Sequence, residues 1–120
     1  MTKWKALQNF WERFGIPAYD VQSVPDDATL PYITYEAQID GLERVLSLTA
    51  SIWYRSTSWT AVCNKADEID RYLDGGVTIP LDVGYLYLVK GSPFAQRLVD
   101  TTDDSIKRIV INIQAEYLSR

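Results

Sequence analysis

The sequence predicts an α+β fold: about four strands in a mostly antiparallel sheet, with two helices packed on one face, in the order α-β-β-α-β-β. Three patterns carry that expectation. Apolar residues recur at helical spacing near the start of the chain and again in its middle. The closing stretch alternates strictly, with Ile109, Ile111, Ile113, Ala115 and Tyr117 against Arg108, Val110, Asn112, Gln114 and Glu116. The turn dipeptide Asp40-Gly41 separates two further alternating runs, as in an antiparallel hairpin.

The elements follow in order. Residues 3–14 read as a helix, because Trp4, Leu7, Trp11 and Phe14 share one stripe with Phe10 beside them. Thr2 is placed to cap it, and Gly15 then Pro17 stop it. Residues 16–30 read as an ordered loop, interrupted by two prolines and Asp26-Asp27. A strand over 31–38 and a second over about 43–55 form the hairpin. Residues 56–76 hold the clearest helix, with Trp59, Val62, Cys63, Ala66, Ile69 and Leu73 on one stripe and Gly75-Gly76 at its end. A third strand covers roughly 84–90, preceded by a short extended piece at 77–81. Residues 91–104 read as a long connection with one helical turn near 95–98. The last strand closes the chain, at a position where an edge of the sheet is the simplest expectation.

The 120 residues fit a single domain, 1–120. With no signal-peptide segment at the start and no apolar run long enough to span a bilayer, a soluble, intracellular product is expected. One cysteine forms no internal disulfide, and its place on a helix stripe makes it a core residue. A net charge of −4 argues against a nucleic-acid backbone site.

Chemistry is scarce. The chain has no histidine, so Ser/His and Cys/His nucleophile systems cannot form within it and the commonest metal ligand is missing. No glycine-rich phosphate loop is present. The pairs Asp26-Asp27 and Asp103-Asp104 lack the spaced ligands of a calcium loop and read first as solvated turns. A carboxylate pair such as Asp82 with Glu36 or Asp103 has nothing in the sequence to bring it together. Tyr32, Trp53, Trp59, Tyr85 and Tyr87 offer a base-stacking platform on paper, but such residues are more often sheet and core residues. The expectation is therefore no catalysis, no metal and no cofactor. The unusual piece is GSPFAQR, where Phe94 either folds onto the core or anchors the segment in a neighbour, with Arg97 meeting a carboxylate across that contact.

The blocks FGIPAYD (14–20), VPDDATLPYITYE (24–36), SIWYRSTSW (51–59), KADEID (65–70), GSPFAQR (91–97) and IKRIVINIQAEYL (106–118) together resemble small structural proteins of phages and prophages. The family is that of tail-terminator, or tail-completion, minor tail proteins of long-tailed phages of Gram-positive bacteria. The resemblance spans nearly the whole chain and rests on the set of blocks rather than on any one. It implies an α+β protein that assembles as a six-membered ring on a completed tail tube, stops tube polymerisation and offers a surface to the head connector or stopper. DNA passes through transiently, without sequence-specific binding, and no membrane is involved. The location implied is the virion tail, assembled in the host bacterial cytoplasm. Head-completion connectors of the same virion are similar in size and remain an alternative. So does a small-molecule-binding domain with a pocket lined by Tyr35, Tyr54 or Tyr85.

A ring needs two different patches per subunit. The candidates are Phe94, Gln96 and Arg97 on the connection, and Arg108, Asn112 and Gln114 on the polar side of the last strand. Asp26, Asp27, Asp103 and Asp104 are candidates for an acidic lumen, where like charge keeps DNA from sticking.

Overall fold

The computed structural model describes residues 1–37, 45–100 and 102–118. The expected Asp40-Gly41 turn lies outside them. Helix α1 covers Lys3–Glu12 and is followed by β1 (Ala18–Asp20), β2 (Tyr32–Tyr35) and β3 (Val45–Arg55). Helix α2 covers Thr60–Tyr72 and is followed by β4 (Val77–Pro80), β5 (Tyr85–Val99) and β6 (Ile106–Leu118). All six strands join one sheet in the order β1-β2-β3-β6-β5-β4, which curls into a half-barrel. β1 runs parallel to β2, and the remaining pairs are antiparallel.

This corrects the expected fold class. The sheet is six-stranded and mixed rather than four-stranded, and the order α-β-β-α-β-β does not hold. β1 hides in the stretch read as a loop because three residues are too few to show alternation. Tertiary bonds hold it there: Ile33 N–H donates to the Pro17 carbonyl at 2.8 Å, and Val21 N–H to the Tyr35 carbonyl at 2.9 Å. Residues 91–99 are a continuation of β5, not a connection, and carry no helical turn at 95–98. Gly91 and Pro93 disguise it because they fill a bulge between Lys90 and Ala95. β6 lies in the middle of the sheet rather than at its edge.

Local chemistry sets the helix ends. The Thr2 hydroxyl oxygen accepts the Lys5 N–H at 3.2 Å, and Gly15 takes a positive φ of 84° just past α1. Before α2, the Ser58 hydroxyl oxygen accepts the Thr60 N–H at 3.0 Å.

The core sits on one face of the sheet. Leu48, Ala50 and Ile52 of β3 are directly opposite Ile113, Ile111 and Ile109 of β6, and all six are buried. Leu86 and Leu88 extend the layer on β5, and Ile33 and Tyr35 extend it on β2. Leu7, Phe10 and Trp11 of α1 and Val62, Ala66 and Ile69 of α2 cover it. Each large aliphatic side chain buried this way contributes about 1.5–3 kcal/mol. The helices meet through rings, with Phe10 5.9 Å from Tyr72, and α1 meets the sheet through Trp11, which stacks on Tyr35 of β2 at 6.4 Å.

One core residue is imperfect. The Tyr117 hydroxyl is buried without a hydrogen-bond partner among the described residues, and burial pushes its pKa from 10.0 up to about 12. The unfolded chain therefore ionises first, so stability is full below pH 10 and falls as pH rises toward 12. Tyr117→Phe should raise the unfolding free energy by about 1 kcal/mol at neutral pH, because it removes an unpaid desolvation cost. It should also flatten the alkaline loss; urea melts near neutral pH and at alkaline pH measure both effects.

Candidate functional site

The unusual geometry lies along β5. β4 accompanies it only as far as Leu88. Beyond that, among the described residues, no strand lies against the outer edge of 89–99. Between Lys90 and Ala95 the strand advances five residues while β6 moves from Ile113 to Ile111. The surplus is held by a side chain: Asn112 Nδ2 donates to the Pro93 carbonyl at 2.8 Å. Close approach is possible because residue 91 is glycine. A Cβ there would stand 2.9 Å from both the Asn112 Cβ and its carbonyl oxygen.

These contacts place the residues singled out from the sequence. Phe94 is half-buried against this chain's own core. Asn112 is engaged by the bulge. Gln96 is exposed on the face away from the helices, as is Gln114, which stands between Ser47 and Val89. Arg97 is exposed on the helix side, with its guanidinium 5.1 Å from the Trp59 ring centre. Lys107 approaches the same ring at 5.6 Å. Arg108 lies over Trp53 at 4.5 Å and donates from Nε to the Ser51 hydroxyl oxygen at 3.0 Å.

Sequence reasoning missed the company Arg108 keeps. Tyr32, Trp53, Arg108 and Leu98 form one transverse row across β2, β3, β6 and β5, on the face without helices. Only the strand order brings them together, so no local signal could have found the row. Aromatic residues with arginine are the composition of interface anchors.

The acidic candidates separate. Asp26 and Asp27 are exposed on the segment between β1 and β2, and Asp104 is exposed before β6. Asp103 is tied down: it accepts from Ser105 N–H at 2.9 Å, from the Ser105 hydroxyl at 2.6 Å and from Arg55 Nη1 at 3.2 Å. The Ser105 bonds, then Arg55, hold its carboxyl below the usual range. Among the described residues, no group of three or more Cys, Asp or Glu is arranged to hold a metal ion, and no helix is long and apolar enough to cross a membrane.

A cleft of about 510 Å³ opens between α1 and β1, lined by Trp4, Lys5, Tyr19, Asp20 and Tyr35 among others. Tyr35 is the one residue of the expected small-molecule pocket that reaches it.

The sequence matches no protein-family model. No curated protein is similar enough to count as a relative.

Two outcomes follow from the geometry. Gly91→Ala should cost about 2 kcal/mol, because the β6 backbone blocks the added carbon and the strand must shift; chemical denaturation measures it. On acidification, the Asp103 turn stays bonded through the ordinary carboxylate range and opens only as pH falls through its depressed pKa. The Ser105 amide signal in an NMR titration should move with a midpoint below 3.8, the ordinary aspartate value, and a midpoint at or above it would refute the turn-closing role of Asp103.

Proposed function

We propose that this protein is a virion structural protein that assembles as a ring, caps a completed phage tail tube and presents a surface for head joining. The six sequence blocks that resemble tail-terminator proteins carry this reading. Two physical features support it. The sheet ends on unlike edges, a short β1 on one side and the overhang of β5 on the other. Unlike edges suit head-to-tail contacts, which close into rings. The helix-free face also carries polar residues suited to a wet protein contact rather than to a core, with Gln114 and Thr49 exposed.

On this reading the ring has six copies. One face meets the tail tube protein, the other meets the head connector or stopper, and DNA crosses the hole without being read. The protein catalyses nothing and takes no cofactor. The connector alternative uses the same assembly logic but binds on the portal side of the joint.

Light scattering over a wide concentration series, with electron microscopy of the heaviest species, tests the proposal. The expected result is a closed ring of six times 13.7 kDa, which stops elongation when added to polymerising tube protein. A ring that binds the portal side and ignores tubes would favour the connector role. A protein that stays monomeric and leaves tube growth unchanged would overturn both.

A further inference from the structure

The free part of β5 and the short strand β1 lie level with one another on opposite sides of the sheet. Following the register across it, Arg97 stands in one row with Ile109, Ile52, Ile33 and Ala18. Ala95 stands in the next row, with Ile111, Ala50, Tyr35 and Asp20. Their directions are also fixed. β1 is parallel to β2, and three antiparallel steps separate β2 from β5. β5 therefore runs opposite to β1. A second copy set beside the first in the same orientation brings the two edges together as an antiparallel pair.

Outward-facing backbone groups stand on both sides, although the Asp20 carbonyl also accepts the Ser23 N–H at 2.8 Å and its carboxylate the Gln22 N–H at 2.9 Å. Ser56 N–H donates to the Ser105 carbonyl at 2.7 Å, which fixes the parity of the β3·β6 ladder. Carried through β6, that parity turns the amides of Gln96 and Leu98 inward and those of Ala95, Arg97 and Val99 outward. On the other edge, Val21 N–H bonds the Tyr35 carbonyl and the Pro17 carbonyl bonds Ile33. The amides of Ala18 and Asp20 therefore face out. The uncovered part of β3 differs: Glu36 already takes the Thr49 N–H at 2.7 Å and its hydroxyl at 2.8 Å.

Side chains agree with the pairing. Asp20 and Arg97 both lie on the helix side. Between residues 14 and 37 there is no Lys or Arg, while Asp20, Asp26, Asp27 and Glu36 fall there. Arg97 rests on Trp59 beside Lys107, on the opposite side of the sheet from β1. Val99 is 75% exposed and Val21 is 53% exposed, and the contact would cover both. Pairing β5 with its own counterpart would instead set Arg97 near Arg97, which like charge disfavours.

We infer that β1 of a second copy adds to the free edge of β5 at residues 95–99 as an antiparallel strand, continuing the sheet from subunit to subunit with Asp20 beside Arg97, diagonal to it in the level register and directly opposite it in the one shifted by two residues. The inference rests on the ring reading above and specifies its contact.

Disulfide trapping between differently marked chains tests it. In a Cys63→Ser background, a Gln96→Cys chain is mixed under mild oxidation with a Tyr19→Cys chain or a Val21→Cys chain. The two mixtures cover the level register and the one shifted by two residues. At these positions both backbones turn away from the new partner, the close type of antiparallel pair that fits a disulfide. The expected result is a mixed dimer in one of the two mixtures, well above either self-linked product, with circular dichroism unchanged. Arg97→Asp alone and Asp20→Arg alone should each weaken association at least about tenfold, and the double exchange should restore it. Oligomers by light scattering without a mixed disulfide would overturn the edge pairing and leave the ring reading standing. A monomer that gives no disulfide in either mixture would overturn both.

Discussion

Everything in this molecule hangs on the ladder between β3 and β6. It runs without interruption from Val45 opposite Glu116 to Arg55 opposite Ile106. Because side chains alternate, that single register decides which face is dry. It puts Leu48, Ala50 and Ile52 beside Ile113, Ile111 and Ile109, and both helices gather over that layer. A slip of one residue would turn Ser51, Thr49 and Asn112 inward and the isoleucines outward. The registers of the flanking strands are set on this pair, so the position of every outer residue is a consequence of it.

The ladder also joins two similar halves. Each half is a helix followed by three strands, and the sheet order reads outward from the centre as β3-β2-β1 on one side and β6-β5-β4 on the other. The halves part company at their outer strands. One ends in a parallel strand of three residues, the other in an antiparallel strand of four beside a far longer neighbour. That loss of symmetry gives the molecule two distinguishable sides, one acidic and one bearing Arg97. The helix-free face keeps its polar centre and carries the row from Tyr32 to Leu98 at one end. On the proposed reading, in which the protein is positioned between other proteins, such differentiated surfaces are what the assembly would use.

How much of this was legible in the sequence depended on the range of the interaction. Helical stripes and the alternation of β6 are local, and both helices and the buried side of Ile109, Ile111 and Ile113 were readable from them. β1 was not, because what makes residues 18–20 a strand is the Ile33 and Tyr35 backbone beside them. The second half of β5 was hidden by its own glycine and proline, which signal a loop unless the Asn112 bond is known. The central place of β6 was beyond reach for the same reason: strand order is a pairing of distant segments. Of the candidate residues, Gln96, Arg97 and Gln114 are exposed, whereas Phe94 and Asn112 serve this chain's own packing.

The clamp between Asn112 and Pro93 separates two lengths of β5 that obey different neighbours. Upstream, as far as Leu88, the strand is committed on both sides by β4 and β6; downstream of the clamp, among the described residues, it answers to β6 alone. The slack between them absorbs length without passing a register change to either part. Residues inserted or lost there would alter the bulge while leaving every cross-strand partner where it is. The joint thus lets the two lengths of β5 serve different neighbours without any change in the β3·β6 register.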